Sequence, residues 1–351
     1  MNRLNIIFLL LILLFTNCKE GNIRDKKYGG TFKINASDVP DIIFPGQVLK
    51  LSEQLIINQV YVGLVKYNTQ TLNIISSLSK KWRVERNQSL YTFYINDNAY
   101  FHKDICFGKN KTRKITAYDV KYSIEQIAKF HVLKQHEISF QLSNIKGSND
   151  ILKLTVNNDT THISGIKVIN DTTIVFELEK SDPIFIHYLA STNGLVFPKE
   201  AFNMYGFRST VGSGAYLFKY PDIKGQTITL IANPNFFLKN RQKQKLPFID
   251  TIQVSFITST PKELSMFEQG KLDMITGVNS NYVVDFLDKN IDKFQNDPPY
   301  YIMKQISISE DDINYNFLRS NIQNIHLNSI NYFDFSKVFF KEPVAQEITM
   351  Y

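Results

Sequence analysis

Apolar and polar positions along the chain divide it into short, punctuated elements. It opens on an apolar run, Leu4 to Phe15, interrupted only by Asn5 and preceded by Arg3. That run has the length of a secretory h-region and is short for a transmembrane helix. No other apolar run is long enough to span a bilayer. "KEGNIRDKKY", residues 19–28, is polar and suits a tether. "GGTFKI" then alternates as a strand, and "ASDVPDIIFPG", with two prolines, forms a loop. Spacing at Leu51, Leu55, Val60 and Leu64 predicts a helix that ends in a turn near "YNTQT". Tyr91, Phe93 and Ile95 alternate with Leu90, Thr92 and Tyr94, a strand partly covered on both faces. "NDN" turns the chain, and "AYFH" is short enough to return as a second strand.

After the basic loop "GKNKTRK", Thr116 is a candidate N-cap with Asp119 completing a capping box. Val120, Ile124, Ile127 and Ala128 then share one helical face. "GIKVIN" and "TTIVFELE" flank Asn170-Asp171 as a hairpin. Asp182 and Pro183 predict the start of another helix in "SDPIFIHYLA". "GAYLFKY" and "QTITLIA" make a strand pair, and "IDTIQVSFI" turns Ile252, Val254 and Phe256 inward. Thr260, Pro261 and Glu263 predict a capped helix that Gly270 stops. Strands dominate and helices are interspersed, which places the chain in the α/β or α+β class. At 351 residues it is too long for one small core and should form two or more lobes.

Composition adds charge to this picture. Forty Lys and Arg against 33 Asp and Glu give a net charge of +7. The basic residues are scattered among acids, as in "SKKWRVER", so a solvated surface fits better than a nucleic-acid-binding face. There are two cysteines, Cys18 and Cys106. Cys18 stands at the edge of the apolar run, after Thr16 and Asn17, in "LLFTNCKEGN", which resembles the lipobox of bacterial lipoproteins. Lipidation of Cys18 would leave Cys106 without a disulfide partner. A signal anchor, or an ordinary signal peptide with an incidental cysteine, is the other interpretation of the same residues.

The candidate chemistry is sparse. His102, Asp104 and Cys106 stand at i, i+2 and i+4, so an extended strand would point all three to one face. Further ligands would have to come from elsewhere. His131 and His136 fall on different helix faces, and His162, His187 and His326 are isolated. No G-x-S-x-G, H-E-x-x-H or phosphate-loop pattern occurs. "VGSGAY" lacks a phosphate-loop lysine and leads into a strand, so it is expected to be a turn. No metal, cofactor or catalytic residue is assigned, and the chain is not expected to be an enzyme.

Eight blocks in order carry a resemblance: "GGTFKI", "VYVGLVKYN", "WRVERNQSLYTFYINDNAYFHKD", "ITAYDVKYSIEQI", "VGSGAYLFKY", "TLIANPNFF", "LPFIDTIQVSFI" and "FEQGKLDMI". From about Gly29 to about Met303 the chain resembles the family 5 solute-binding proteins of ABC importers, the peptide- and nickel-binding group. The resemblance implies a mixed α/β, two-lobed periplasmic-binding-protein-like fold with ligand held between the lobes. The apolar run and Cys18 predict a signal peptide at 1–17 and a lipidated tether at 18–28, and the resemblance implies a discontinuous N-terminal lobe at 29–59 and 181–296. A small domain would be inserted at 60–180. Residues 297–351 would hold a crossing segment and a truncated or degenerate tail, with the second lobe largely missing.

On this resemblance "YTFYINDNAYFHKD" is a scaffold hairpin, and His102 is a packing residue. Ligand contacts are expected from Ser37 and Asp38 in "ASDVP" and from Thr192 and Asn193 in "STNGLVF". Ordinary turn residues are the other interpretation of all four. The implied partners are a small peptide and ABC permease subunits. The implied state is a monomer, lipid-anchored on the extracytoplasmic face and independent of nucleic acid. With one lobe largely missing, the implied half-site is open and binds peptide more weakly than about micromolar. The competing expectation is a surface lipoprotein that keeps the first-lobe scaffold and binds no solute.

Overall fold

The computed structural model describes residues 28–274, apart from 49, 69–70, 134–139, 153–161, 220–226 and 241. The N-terminal apolar run, Cys18, the tether, the crossing segment and the tail lie outside the described residues. So do the side chains of His131, His136 and His326.

In chain order the elements are β1 (Thr31–Ala36), α1 (Leu51–Val60), β2 (Val62–Gly63), β3 (Val65–Tyr67), β4 (Ile74–Ser76), β5 (Ser79–Glu85) and β6 (Leu90–Ile95). A 3-10 turn at Ile105–Asn110 precedes α2 (Ala117–Leu133), α3 (Phe140–Ser143) and α4 (Asn149–Leu152). Then follow β7 (Ile166–Asn170), β8 (Thr173–Glu177), α5 (Phe185–Ala190), a 3-10 turn at Thr192–Gly194, β9 (Leu195–Val196) and α6 (Lys199–Tyr205). The described part closes with β10 (Tyr216–Lys219), β11 (Thr227–Ala232), β12 (Thr251–Phe256) and α7 (Thr260–Glu268).

Two four-stranded sheets organise these elements. The first has the order β1-β12-β11-β10. In it β1 runs parallel to β12 from Thr31↔Thr251 to Ala36↔Phe256, and the other pairs are antiparallel. The second, β5-β6-β8-β7, is antiparallel throughout. A short ladder, Val62↔Val196 and Gly63↔Leu195, ties the exit of α1 to β9. Inward residues of both sheets join one contiguous apolar cluster that includes Ile34, Val254, Phe93 and Phe176. Aromatic contacts carry it inward from the second sheet: Phe93 meets Phe176 edge-on at 5.8 Å, and Phe176 lies 5.4 Å from Phe185 on α5.

Several expectations hold. Val120, Ile124, Ile127 and Ala128 are all buried on one face of α2. β7 and β8 form the hairpin around Asn170-Asp171, and β10 pairs with β11. Tyr91, Phe93 and Ile95 are buried, and their neighbours on β6 half-buried.

Four expectations are corrected. The helix predicted through Leu64 ends at Val60, because Val62 and Gly63 pair with β9. Its core face is Ile56, Ile57 and Val60, whereas Leu51 is 46% exposed. "AYFH" makes no strand; Tyr100 forms only an isolated bridge to Lys114. Asp182 is not the N-cap of α5: its Oδ1 accepts the Ile184 N–H at 2.9 Å and closes the preceding turn, leaving Pro183 outside the helix. The N-cap position of α7 is Ser259 rather than Thr260, with no side-chain cap bond and no capping box. The Glu263 carboxylate instead accepts from Asn35 Nδ2 at 2.8 Å, tying α7 to the end of β1.

At the start of α2 the box is half formed. The Thr116 N–H donates to Asp119 Oδ2 at 2.8 Å, and the Thr116 hydroxyl donates to the same oxygen at 3.1 Å. Arg113 braces that carboxylate with two further bonds of 2.7 and 2.8 Å. Thr116→Ala removes one bond to a carboxylate that keeps the others, so a loss of about 1 kcal/mol is expected in the urea midpoint. A midpoint equal to wild type would mean the hydroxyl bond contributes nothing.

Candidate functional site

The loop after β1 is built around one acid. Glu53, in the first turn of α1, is 2% exposed. Its Oε1 accepts the N–H groups of Asp41 at 2.8 Å and Ile42 at 3.2 Å, and its Oε2 accepts that of Lys50 at 3.0 Å. A carboxylate in that position also suits the positive end of the helix dipole. Lys50 Nζ closes the loop onto Asp41 at 2.6 Å. Further along, Phe44 sits among Tyr61, Phe130, Phe197 and Phe202, with ring centroids 4.7–6.3 Å away. Gly46, with φ of +72°, turns beside Ile127, where an added Cβ would lie 2.9 Å from Cγ1.

This frame places the expected ligand contacts unevenly. Ser37 is exposed. Asp38 is half-buried, and its Oδ2 accepts the Ser52 hydroxyl at 2.6 Å. Thr192 is half-buried in the 3-10 turn, and Asn193 is buried, its N–H bonded to Ser191 Oγ at 3.2 Å. The turn and the loop both meet α1, the loop through Ser52 and the turn by packing against the helix.

A cavity of about 30 Å³ lies elsewhere, between the end of α1, β2 and β3, and the "NPNFFL" segment. Its polar lining comes from Asn58, Gln59, Lys66 and Ser77, and its apolar lining includes Leu195 and Phe236. None of Ser37, Asp38, Thr192 and Asn193 borders it. It has room for about one water molecule and none for a peptide. Sequence reasoning missed it, since its polar residues share no motif. The one signal was Gly63 in "VYVGLVKY", where a Cβ would stand 2.9 Å from the Gly194 carbonyl oxygen.

His102, Asp104 and Cys106 do not converge. The His102 ring is buried and Nε2 lies 3.0 Å from the Gly214 carbonyl, so Nε2 carries the proton. Burial holds its pKa down at about 4. Asp104 Oδ1 accepts from the Cys106 N–H at 2.8 Å and the Tyr205 hydroxyl at 2.7 Å. Burial, followed by the nearby Asp104 carboxylate, pushes the Cys106 thiol up to about 12, away from thiolate chemistry. Among the described residues no group of His, Cys, Asp and Glu has the arrangement of a metal site.

Known proteins show the same organisation. Residues 73–329 match the family "Bacterial extracellular solute-binding proteins, family 5 Middle". The chain is 24% identical over 304 residues to heme-binding protein A of Haemophilus influenzae, covering 84% of this chain and 50% of that protein. Among solved structures it is similar to the periplasmic binding protein DppA of Helicobacter pylori in complex with the peptide STSA. There the TM-score is 0.60 and the identity 19%, over 75% of this chain and 49% of that one. The murein tripeptide binding protein MppA of Escherichia coli gives a TM-score of 0.59 at 17% identity, over 79% and 50%. OppA of Haemophilus influenzae in complex with RPPGFSPFR gives 0.59 at 16% identity, over 74% and 48%. These neighbours are two-lobed periplasmic binding proteins with the same mixed α/β fold. The chain spans about half the length of the relatives it matches. With the family matched over nearly three quarters of its residues, the chain belongs to the family 5 bacterial extracellular solute-binding proteins.

Proposed function

We propose that this chain is the extracytoplasmic solute-binding component of an ABC importer and that its solute is an oligopeptide. The family match over residues 73–329 carries the proposal, and the peptides bound by the DppA and OppA neighbours support the solute class. The lobe is formed by 29–59 and 181–296, with 60–180 inserted. Lipid on Cys18 holds a monomer at the membrane beside its permease. Ser37 and Asp38 meet an extended peptide on a loop that Glu53 has already fixed, so little loop entropy is lost on binding. Thr192 and Asn193 contribute mainly through their turn. No turnover is expected of a protein in this role.

Isothermal calorimetry of the 351-residue chain against a mixed peptide library, with hemin in a parallel titration, tests the solute. The cavity at the end of α1 is too small for a peptide, so binding on an open face is expected, with Kd weaker than about 1 μM. Heat from hemin alone would transfer the assignment to the chemistry named in heme-binding protein A. The anchor is tested by detergent-phase partitioning, expected for wild type and lost in Cys18→Ser.

A further inference from the structure

One loop combines charge, exposure and rigidity in a way that solute binding does not use. Between Phe101 and α2 the chain carries Lys103, Lys109, Lys111 and Lys114, all exposed. None of the four forms an ion pair among the described residues; Lys114 Nζ only stands 5.9 Å from the Tyr100 ring centre. The neighbouring carboxylates are already engaged. Asp104 holds the Cys106 N–H and the Tyr205 hydroxyl, and Asp119 and Glu200 both grip Arg113. In the same loop Ile105 is 72% exposed, the most exposed large apolar side chain among the described residues.

The loop is built to hold that arrangement. The Asp104 N–H donates to the Lys111 carbonyl at 2.7 Å, and the Phe101 N–H to the Arg113 carbonyl at 3.1 Å. The Thr112 hydroxyl returns to the Phe101 carbonyl at 2.6 Å. Phe101 and Phe107 stack at 5.9 Å, with the Arg113 guanidinium 5.1 and 5.6 Å from their centres. Lys111 takes a left-handed backbone, φ of +56°, where an L side chain is strained. The backbone that carries Ile105 and the lysines is therefore fixed in place.

We propose that this loop, residues 103–114, is a docking surface for an anionic phospholipid bilayer, with Ile105 entering the headgroup layer and the four lysines lying against lipid phosphates. The choice of cation separates a bilayer from an acidic protein. Specific protein interfaces favour arginine, whose planar fork makes bidentate bonds, and are depleted in lysine. Here the loop's one arginine is engaged by Asp119 and Glu200, and the free cations are all lysines, hydrated point charges suited to a diffuse phosphate surface. An exposed apolar side chain in a loop that carries such charges fits the boundary between headgroups and acyl chains. The inference does not rest on which solute the protein carries.

The chain has a single tryptophan, Trp82, which permits a local readout. Trp82→Phe combined with Ile105→Trp leaves one indole, at the loop tip. The full chain is mixed with vesicles of phosphatidylglycerol and phosphatidylcholine in equal parts, or of phosphatidylcholine alone. Blue-shifted emission and quenching by brominated lipid are expected on the anionic vesicles only, and both should fade at high salt. Neutralising the lysines to glutamine should weaken the partition roughly five-fold per residue. Equal emission on both vesicle types would overturn the proposal. So would quenching that survives Lys103→Gln, Lys109→Gln, Lys111→Gln and Lys114→Gln together. A shift that appears only on adding an acidic protein would assign the surface to a protein and overturn it as well. Flotation of the lysine variants with the native Ile105 repeats the test without altering the tip.

Discussion

Gly214→Ala is expected to lower stability by at least about 3 kcal/mol, and Gly206→Ala by only about 1 kcal/mol. The contrast follows from what each new methyl group would meet. At Gly214 a Cβ would stand 2.2 Å from the Gln59 carbonyl oxygen and 2.6 Å from the Val60 carbonyl carbon, both backbone atoms of α1. No rotamer change relieves such a contact; the helix end and the start of β10 would have to separate. That separation would pull apart the Gly214 N–H bond to the Val60 carbonyl at 2.8 Å. It would also disturb the Gly214 carbonyl, which accepts from His102 Nε2 and Asn233 Nδ2, each at 3.0 Å. Gly206 is the opposite case: its φ is positive, +58°, which Gly214's is not, and nothing lies within 4 Å of the added Cβ, so it carries backbone strain without a clash. Urea midpoints of the two variants decide the matter. If they shift equally, the close approach of "VGSGAY" to α1 costs no more than backbone strain at an open site, and the predicted clash is relieved.

Acid is expected to destabilise the fold well before carboxylates titrate, through His102. Burial lowers its pKa from the ordinary value of 6.5 to about 4 in the folded state. Between those values the unfolded chain takes a proton that the folded chain refuses. Stability is therefore complete above about pH 6.5 and falls as the pH drops toward 4. At about 1.4 kcal/mol per pH unit the loss is on the order of 3 kcal/mol. His187, whose pKa burial also lowers, adds in the same direction. Glu263 and Asp273, raised by burial, act oppositely, since the folded chain takes up their protons first. Unfolding free energies of wild type and His102→Gln at about pH 7 and pH 4.5 give the check. The variant should lose about one proton's worth of slope; an unchanged slope would show that His102 is not the group responsible.

Strands were legible where apolar residues alternate against one core. "LYTFYI" and "TIQVSF" show their inward faces directly, as α2 does at helical spacing. α1 was misjudged because its buried side includes Ser52 and Glu53, polar residues that serve the loop before it. A hydrophobic pattern cannot register a buried carboxylate whose partners are backbone N–H groups. The loop carrying Ser37 and Asp38 was found from its prolines, but the clamp that fixes it was not. A glutamate three residues past the loop's end was the available sign. His102 illustrates the converse: its spacing from Asp104 and Cys106 suggested convergence on an extended strand. The chain there is no strand, and the imidazole turns to Gly214 instead.

The parallel pairing of β1 with β12 sets a schedule for folding. Thr31 and Thr251 are partners separated by 251 − 31 = 220 positions. Contacts of such separation are slow to form, because a long loop must close before they are made. At a synthesis rate of about 5–20 residues per second, β1 waits roughly 10–40 s for its partner to exist. During that interval Phe32 and Ile34 have no sheet to join, and the first strand is an open edge for aggregation or for a chaperone. The strands of the antiparallel second sheet all lie before residue 178, and Phe185, which packs on them, follows soon after, so this sheet can assemble in the meantime. Nascent chains arrested between residues 180 and 250 should therefore contain a protease-resistant second sheet and a first strand still open to cleavage.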